Sequence, residues 1–475
     1  LKSTVLISPK FEGKKMIFGK FKELFFVGIG GSGMSGIAEI LHNLGYRISG
    51  SDISFSEVTQ HLESLGIKVY DRHDASNLGT ANVVVISSAI KEANPEIIEA
   101  RAKGIPVIKR AEMLGELMRL KYSIGVSGTH GKTTTTSMIG KIMTDAGLDP
   151  TLIVGGIVAG KGSGASLGAG DYLVAEADEY DRSFLSMFPS MAVITNIEPD
   201  HLECYDGMED LESSFLTYMN RVPFYGMVVY SADDPVLAKL HRKITRASVS
   251  FGYSSEADYQ AVDIAHTRGG AEFTVFKRSE HLGRVVLNIP GEHNVRNALA
   301  SVTATSELEV SFETIAKSLK EFRGVGRRFE IKATIGDIMI VDDYAHHPTE
   351  ITASLEAARK SYGRRIVLIF QPHLFSRTQI LYREFAEALR LADICWVVDI
   401  YPAREEPING VTAELITRYA AREGYDHIQY VGMMENAVAR VLETARSGDM
   451  VITMGAGSIT RINPEIIGGL KGNDS

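Results

Sequence analysis

The feature that most constrains this chain is a pair of glycine-rich strand-to-helix turns 100 positions apart, FFVGIGGSGMSGIAE around Gly28 and SIGVSGTHGKTTTT around Gly128. Glycines at the end of a strand let the backbone turn tightly into a helix and let a diphosphate approach the helix N-terminus. Two such turns point to two separate α/β domains. Short β-branched runs predict strands over 24–29, 47–51, 83–87, 123–126, 172–176 and 192–195, and again over 337–341, 365–370, 394–399 and 450–454. Helical patterns over 33–44, 132–146 and 349–358 alternate with them. This alternation predicts βαβ units and mostly parallel sheets. A length of 475 residues suggests about three domains, with seams near Lys121 and Gly324–Gly326.

Composition narrows the function. Apolar residues at 44% and charged residues at 23% are ordinary for a globular chain and exclude disorder, collagen and coiled coil. Lys plus Arg is 50 and Asp plus Glu is 59, a net charge of −9 with a pI near 5.9. A general nucleic-acid or anionic-membrane binder needs a basic surface, so neither is expected. Only Cys204 and Cys395 occur, too few for a disulfide framework or a cysteine metal cage, which fits a reducing compartment. No apolar run reaches the ~18 residues of a membrane span. The N-terminal stretch carries charges throughout, so neither a signal peptide nor membrane insertion is expected.

In the first turn Gly28, Gly30 and Gly33 satisfy G-x-G-x-x-G between a strand and a helix. Asp52 lies 19 residues past Gly33 at the end of the next strand, where an acid can take a ribose hydroxyl. The motif leaves NAD, FAD and a UDP-sugar open as ligands, beside a packing turn that binds nothing. In the second turn Gly128, Gly131, Lys132 and Thr133 form a shortened phosphate loop, because Val126 stands where the first glycine of G-x-x-x-x-G-K-[ST] belongs. Its N–H groups can cradle phosphates, Lys132 can neutralise them, and Thr133 can ligand Mg²⁺. A loop lysine contributes little to a core, so Lys132 should be replaceable without loss of the fold.

Downstream, AEADEYD gathers Glu176, Asp178, Glu179 and Asp181 at a strand's C-terminal end, either as Mg²⁺ partners or as a solvated acidic loop. TNIEPDHLE places Asp200 and His201 beyond another strand, suited to a metal or phosphate. HNVRNALA offers Asn294 and Asn297, whose amides can read an adenine edge. GVGRRFE offers Arg327 and Arg328, DDYAHHPTE offers Asp343, His346 and His347, and FQPHLFSRT offers His373 and Arg377. Arginine can clamp a transferring phosphate or a substrate carboxylate. HHP can equally cap the following helix.

Taken in order, these segments resemble the Mur ligases of peptidoglycan synthesis, from Phe25 to Gly457. GTHGKT marks the superfamily, and GIGGSGMSGIAE with DDYAHHPTE points to its alanine-adding branch. The murein-tripeptide ligase of recycling is the near alternative. An NAD-dependent Rossmann oxidoreductase is the alternative of another class, and it leaves GTHGKT unexplained. The resemblance implies an α/β chain of three domains. Residues 1–121 form a Rossmann-like domain for the UDP substrate, 122–325 a central ATP-binding domain with a P-loop, mononucleotide-type sheet, and 326–475 a second Rossmann-like domain that closes over the site. It implies ATP-dependent ligation of L-alanine to the lactyl carboxylate of UDP-N-acetylmuramate through an acyl phosphate. The expected setting is the cytoplasm, with ATP and two Mg²⁺, as a monomer or weak homodimer.

The resemblance also implies residue roles. Gly128, Thr129, His130, Gly131, Lys132, Thr133 and Thr134 would bind ATP phosphates. Asn294 and Asn297 would face adenine, and Arg327 and Asp343 would contact the nucleotide. Thr133 and Glu176 would hold one Mg²⁺, and His201 would help hold a second. Gly28, Gly30, Gly31, Gly33, Asp52 and His73 would bind the UDP substrate. Lys132 would serve phosphoryl transfer, while His346 and Arg377 would look towards the amino acid. Two positions depart from relatives. Leu374 stands where many carry Arg, and Leu216, with no Lys nearby, stands where several sister ligases carry a carbamylated Lys.

Overall fold

The computed structural model describes residues 21–54, 56–87, 89–155, 165–199, 204–403 and 405–473. Two of the features singled out in the sequence, the charged N-terminal stretch and His201 with its neighbour Asp200, lie outside the described residues. The chain divides into two compact units, Leu1–Leu117 with Ser163–Leu167, and Met118–Gly162 with Gly168–Ser475.

The first unit holds a parallel sheet ordered Lys68–Tyr70, Arg47–Ser51, Glu23–Val27, Val83–Ile86, Val107–Lys109. The order reverses beside Glu23–Val27, the switch point where α/β sheets take ligands. That strand, ELFFV, is buried from Leu24 to Val27, as a central parallel strand covered on both faces must be. Helix Ser32–Asn43 follows it directly.

The second unit carries two sheets. In the first, Tyr122–Ser127 lies between Tyr172–Glu176 and Met191–Ile194, and the sheet continues in parallel through Met227–Ser231 and Ser248–Gly252. It then extends into an antiparallel meander of Tyr259–Thr267, Gly270–Lys277 and Glu280–Leu287. Helix Lys132–Asp145 and helix Glu292–Ser306 pack over one core with this sheet, through Ile139, Ile142, Val295 and Leu299. The last sheet is ordered Glu330–Ile335, Ile338–Asp343, Asp449–Met454, Arg365–Phe370, Ile394–Val398, Ile428–Gly432. All its pairs are parallel except the first. Cores on both of its faces, one around Leu368 and one around Val367, follow from the period-two alternation of a strand covered on both sides. No helix among the described residues is long and apolar enough to cross a membrane.

Candidate functional site

In the first unit the glycine turn hangs from the next strand. Gly28 N and Ile29 N donate to Ser51 O at 2.8 and 3.0 Å, and Gly31 N donates to Gly28 O. Asp52 accepts from Gly30 N at 2.9 Å and from Ser54 N at 3.0 Å, so the acid read as a ribose partner also fastens the turn. A methyl group at Gly33 would come within 2.8 Å of the Arg110 guanidinium, which puts a cation at the start of this helix. Sequence reasoning missed Arg110, which no motif marks. It also missed Glu96. This fully buried carboxylate accepts from Ser51 Oγ at 2.7 Å and from Asn77 Nδ2 at 2.9 Å, and lies 3.0 Å from His73 Nδ1. His73 is therefore fixed at one ring nitrogen, close to the turn's anchoring strand.

In the second unit the phosphate loop links strand Tyr122–Ser127 to helix Lys132–Asp145. Gly128 and Gly131 have φ of +130° and +84°, and a Cβ there would lie 2.1 Å from Thr195 Oγ1 and 2.3 Å from Asn297 Oδ1. Only glycine fits either position. The helix begins at Gly131 with no side-chain cap, so its first N–H groups suit an anion. Thr129 Oγ1 accepts from Glu198 N at 2.9 Å, which ties the loop to the strand end beyond Ile194.

Lys132 is largely withdrawn from solvent. Its Nζ lies 2.8 and 3.0 Å from the two oxygens of Glu179, which is 1% exposed. Burial opposes the charge on Lys132, but Glu179 and Asp178 hold it protonated. Burial also pushes the Glu179 carboxyl upward, against the pull of Lys132, which pairs with it as a carboxylate. A solvated acidic loop is thereby excluded for Glu179. Glu176 accepts from Gly155 N at 2.8 Å and from the Thr133 hydroxyl, and burial raises its pKa. Thr133 and Glu176 therefore stand together as two oxygen donors, a set that suits Mg²⁺, which needs few protein ligands. No cage of three or more His, Cys, Asp or Glu exists among the described residues.

A cavity of about 380 Å³ opens beside the loop, lined on one side by His130, Thr134 and Asn297 and on the other by Arg328, Asp343 and Ser354. Its size and the cations at its walls fit a nucleotide. Asn294 also lines it and donates to Pro290 O at 2.6 Å, while Asn297 donates to Asn294. Asp343 accepts from Ala345 N and Ser354 Oγ at 2.8 and 2.6 Å, which fastens the end of strand Ile338–Asp343 beside the cavity. Arg327, expected to contact the nucleotide, turns its guanidinium to the Gly455 carbonyl at 2.6 Å and to Asp342 at 3.4 Å. Arg328 is the arginine that faces the cavity.

Glu350 is the hub that sequence reasoning quoted without a role. His346 Nδ1, His130 Nδ1 and Arg328 lie 3.2, 3.4 and 3.5 Å from its oxygens. Burial alone would raise its pKa, yet His346, His130 and Arg328 hold it well below the usual range. His130 sits between Glu350 and Glu198, 3.4 and 3.6 Å from their oxygens; burial disfavours its charge, but the two carboxylates push it up to about 9. His347 starts helix Pro348–Tyr362 without a side-chain cap. Nearby, the His346 and His373 rings are 5.8 Å apart, and His373 stacks on Tyr401. Burial, then the charges of His346 and Arg377, push His373 down to about 3, so it is neutral. Its buried Nδ1 has no hydrogen-bond partner among the described residues. Arg377 is buried in the first turn of helix Phe375–Leu389, which starts after Leu374 at φ +72°.

A glycine turn on one parallel sheet and a phosphate loop on another, with a third α/β sheet at the nucleotide cavity, define a multidomain nucleotide-dependent enzyme. Three family models cover the chain in sequence: the Mur ligase family catalytic domain over residues 23–122, the Mur ligase middle domain over 126–305, and the Mur ligase glutamate ligase domain over 327–457. The chain belongs to the Mur ligase family. It is 46% identical over 455 residues to a UDP-N-acetylmuramate–L-alanine ligase of Geotalea daltonii, covering 96% of this chain and 99% of that one. Its fold is similar to that of UDP-N-acetylmuramate-alanine ligase MurC of Thermotoga maritima, with a TM-score of 0.81 at 29% identity over 95% of this chain and 99% of that one. A murein peptide ligase of Psychrobacter arcticus gives 0.71 at 26% identity with the same coverage.

Proposed function

We propose that this chain joins L-alanine to the lactyl carboxylate of UDP-N-acetylmuramate, with ATP converted to ADP and phosphate. The observation that carries this reading is the 46% identity, over nearly the whole of both chains, to a ligase of that name. An oxidoreductase built on the glycine turn would leave the phosphate loop and its cavity without a use.

The residues divide the work. The turn at Gly28, Gly30, Gly31 and Gly33, with Asp52, His73 and the Arg110 cation, would take the UDP portion. Lys132, Thr134 and the loop N–H groups would take the ATP phosphates, Asn294 and Asn297 the base, and Arg328 the transferring phosphate. Thr133 and Glu176 would hold Mg²⁺, which supplies charge neutralisation for phosphoryl transfer. His201 is proposed as a further ligand, for a second Mg²⁺. The lactyl carboxylate oxygen attacks the γ-phosphorus and ADP leaves, giving an acyl phosphate. The amine of alanine, once deprotonated, attacks the acyl carbon and phosphate leaves. Glu350 and the Tyr344 carbonyl fix His346 at Nδ1, which leaves Nε2 as the ring nitrogen to meet the amine. Arg377 would pair with the alanine carboxylate. Work of this kind belongs in the cytoplasm, where the nucleotide substrates are found.

The test is phosphate release from ATP with UDP-N-acetylmuramate and each amino acid, and separately with the tripeptide L-Ala-γ-D-Glu-meso-diaminopimelate. Release that requires UDP-N-acetylmuramate and L-alanine supports the reading. Preferred use of the tripeptide, or nicotinamide reduction without ATP, would overturn it.

A further inference from the structure

Lys132 uses all its donors on protein acceptors. Besides the two Glu179 oxygens, Nζ donates to Gly128 O at 2.7 Å and to Thr129 O at 3.1 Å. An ammonium has three N–H groups, so a nucleotide phosphate reaches this lysine only if one acceptor gives way. The carbonyls belong to the loop itself. Glu179 does not; it comes from the segment after strand Tyr172–Glu176 and carries the charge a phosphate would replace.

Glu179 is also held in place. The Tyr205 hydroxyl donates to its backbone carbonyl. Beyond Tyr180, Asp181 and Arg182 both have φ +54°, a left-handed conformation that non-glycine residues rarely adopt. Arg182 pins this turn by donating to the Cys204 carbonyl and to Asp210. The strained, pinned turn presents a buried carboxylate to the lysine of a phosphate loop.

We infer that Glu179 is a positioning residue that competes with nucleotide phosphates for Lys132, weakening the loop's hold on ATP and ADP and so shortening the residence of product ADP. This rests on the reading of the loop as an ATP site. Exchange of one acidic partner for another keeps Lys132 charged and placed throughout turnover.

The experiment is calorimetric ADP and ATP binding to the full chain, with thermal unfolding as the check on folding. Glu179→Gln keeps an acceptor and removes the charge. It should bind ADP roughly tenfold tighter, the scale of one exchanged charged hydrogen bond, and show stronger ADP product inhibition with a lower KM for ATP. Glu179→Asp keeps the charge balance but withdraws the carboxylate from Lys132, and should give a smaller gain of the same sign. In a Lys132→Gln background, Glu179→Gln should bring no gain, since no ammonium is released. Unchanged or weaker ADP binding in the folded Gln and Asp variants would overturn the inference. So would an equal gain without Lys132, which would mean simple repulsion of phosphate. If the unaltered chain bound no nucleotide at all, the loop assignment itself would fail, and this inference with it.

Discussion

Adjacent arginines take opposite directions because of the backbone between them. Arg327 and Phe329 have φ of +59° and +48°. These flank Arg328 with left-handed turns, so Arg328 faces Glu350 and the cavity while Arg327 faces Asp342 and the Gly455 carbonyl. Arg328→Ala should raise the KM for ATP by ten- to a hundredfold, about 2 kcal/mol of lost charged hydrogen bonding. Arg327→Ala should instead lower the unfolding midpoint with a smaller change in that KM. Steady-state kinetics and thermal unfolding of the two variants separate the roles. GVGRRFE names both residues and orients neither, since a side chain's direction depends on φ. Lys132 carries the same lesson. The motif makes it look like a dispensable surface group, but removing it strands the Glu179 carboxylate in a buried site, which costs about 3–5 kcal/mol when a buried pair is broken. Lys132→Ala should therefore lose stability as well as activity. Adding Glu179→Gln should restore much of the unfolding free energy in denaturant titration and none of the ligation.

Between elements, the His130 imidazolium joins the phosphate loop to helix Pro348–Tyr362 through Glu350, and to Glu198 within its own sheet. Its folded pKa, about 9, lies above the ordinary histidine value of about 6.5. Its contribution to stability is therefore complete below about pH 6.5 and is lost as pH rises through about 9. Glu350 has the opposite sign: held well below its usual range, it stabilises above that range and loses its effect only in acid. His130→Gln should flatten the fall in the unfolding midpoint across the alkaline window, and should lower stability below it by an amount of order 2–3 kcal/mol. An unchanged alkaline slope in the variant would remove this bridge from the account. The elements themselves were largely legible. Buried parallel strands such as RIVLIF at 365–370 and YLVAE at 172–176 are apolar runs with one charged residue at an end, and they fall where the pattern predicts. The meander over 259–287 was not seen, because its half-exposed strands mix polar residues into the period-two pattern, as in Tyr259–Thr267. The antiparallel pair Glu330–Ile335 and Ile338–Asp343 was half seen, since only one residue of its edge strand is buried.

At the scale of the whole chain, the first sheet belongs to one compact unit, while the strands that carry the phosphate loop and the last sheet belong to the other. The cavity beside the phosphate loop lies wholly in the second unit, with walls from both of its sheets. Asp52 and His73 lie in the first. No sequence pattern could show that Asn297 and Arg328 face one cavity, because the topology of two sheets brings them together. Substrate effects should therefore separate by unit. Asp52→Ala removes the acceptor that fastens Gly30 and the proposed ribose contact, a loss of about 1.5–3 kcal/mol for a charged hydrogen-bond partner. It should raise the KM for UDP-N-acetylmuramate more than tenfold and leave ADP binding near its original value. Hydrogen exchange gives the matching map on the unaltered chain. UDP-N-acetylmuramate should protect the turn around Gly28–Gly33. ADP should protect both the phosphate loop and the segment from Ala345 to Ser354, since both line the cavity. ADP protection confined to the phosphate loop would mean that the last sheet does not contribute to nucleotide binding, and equal effects of Asp52→Ala on both substrates would remove the first unit as the UDP site.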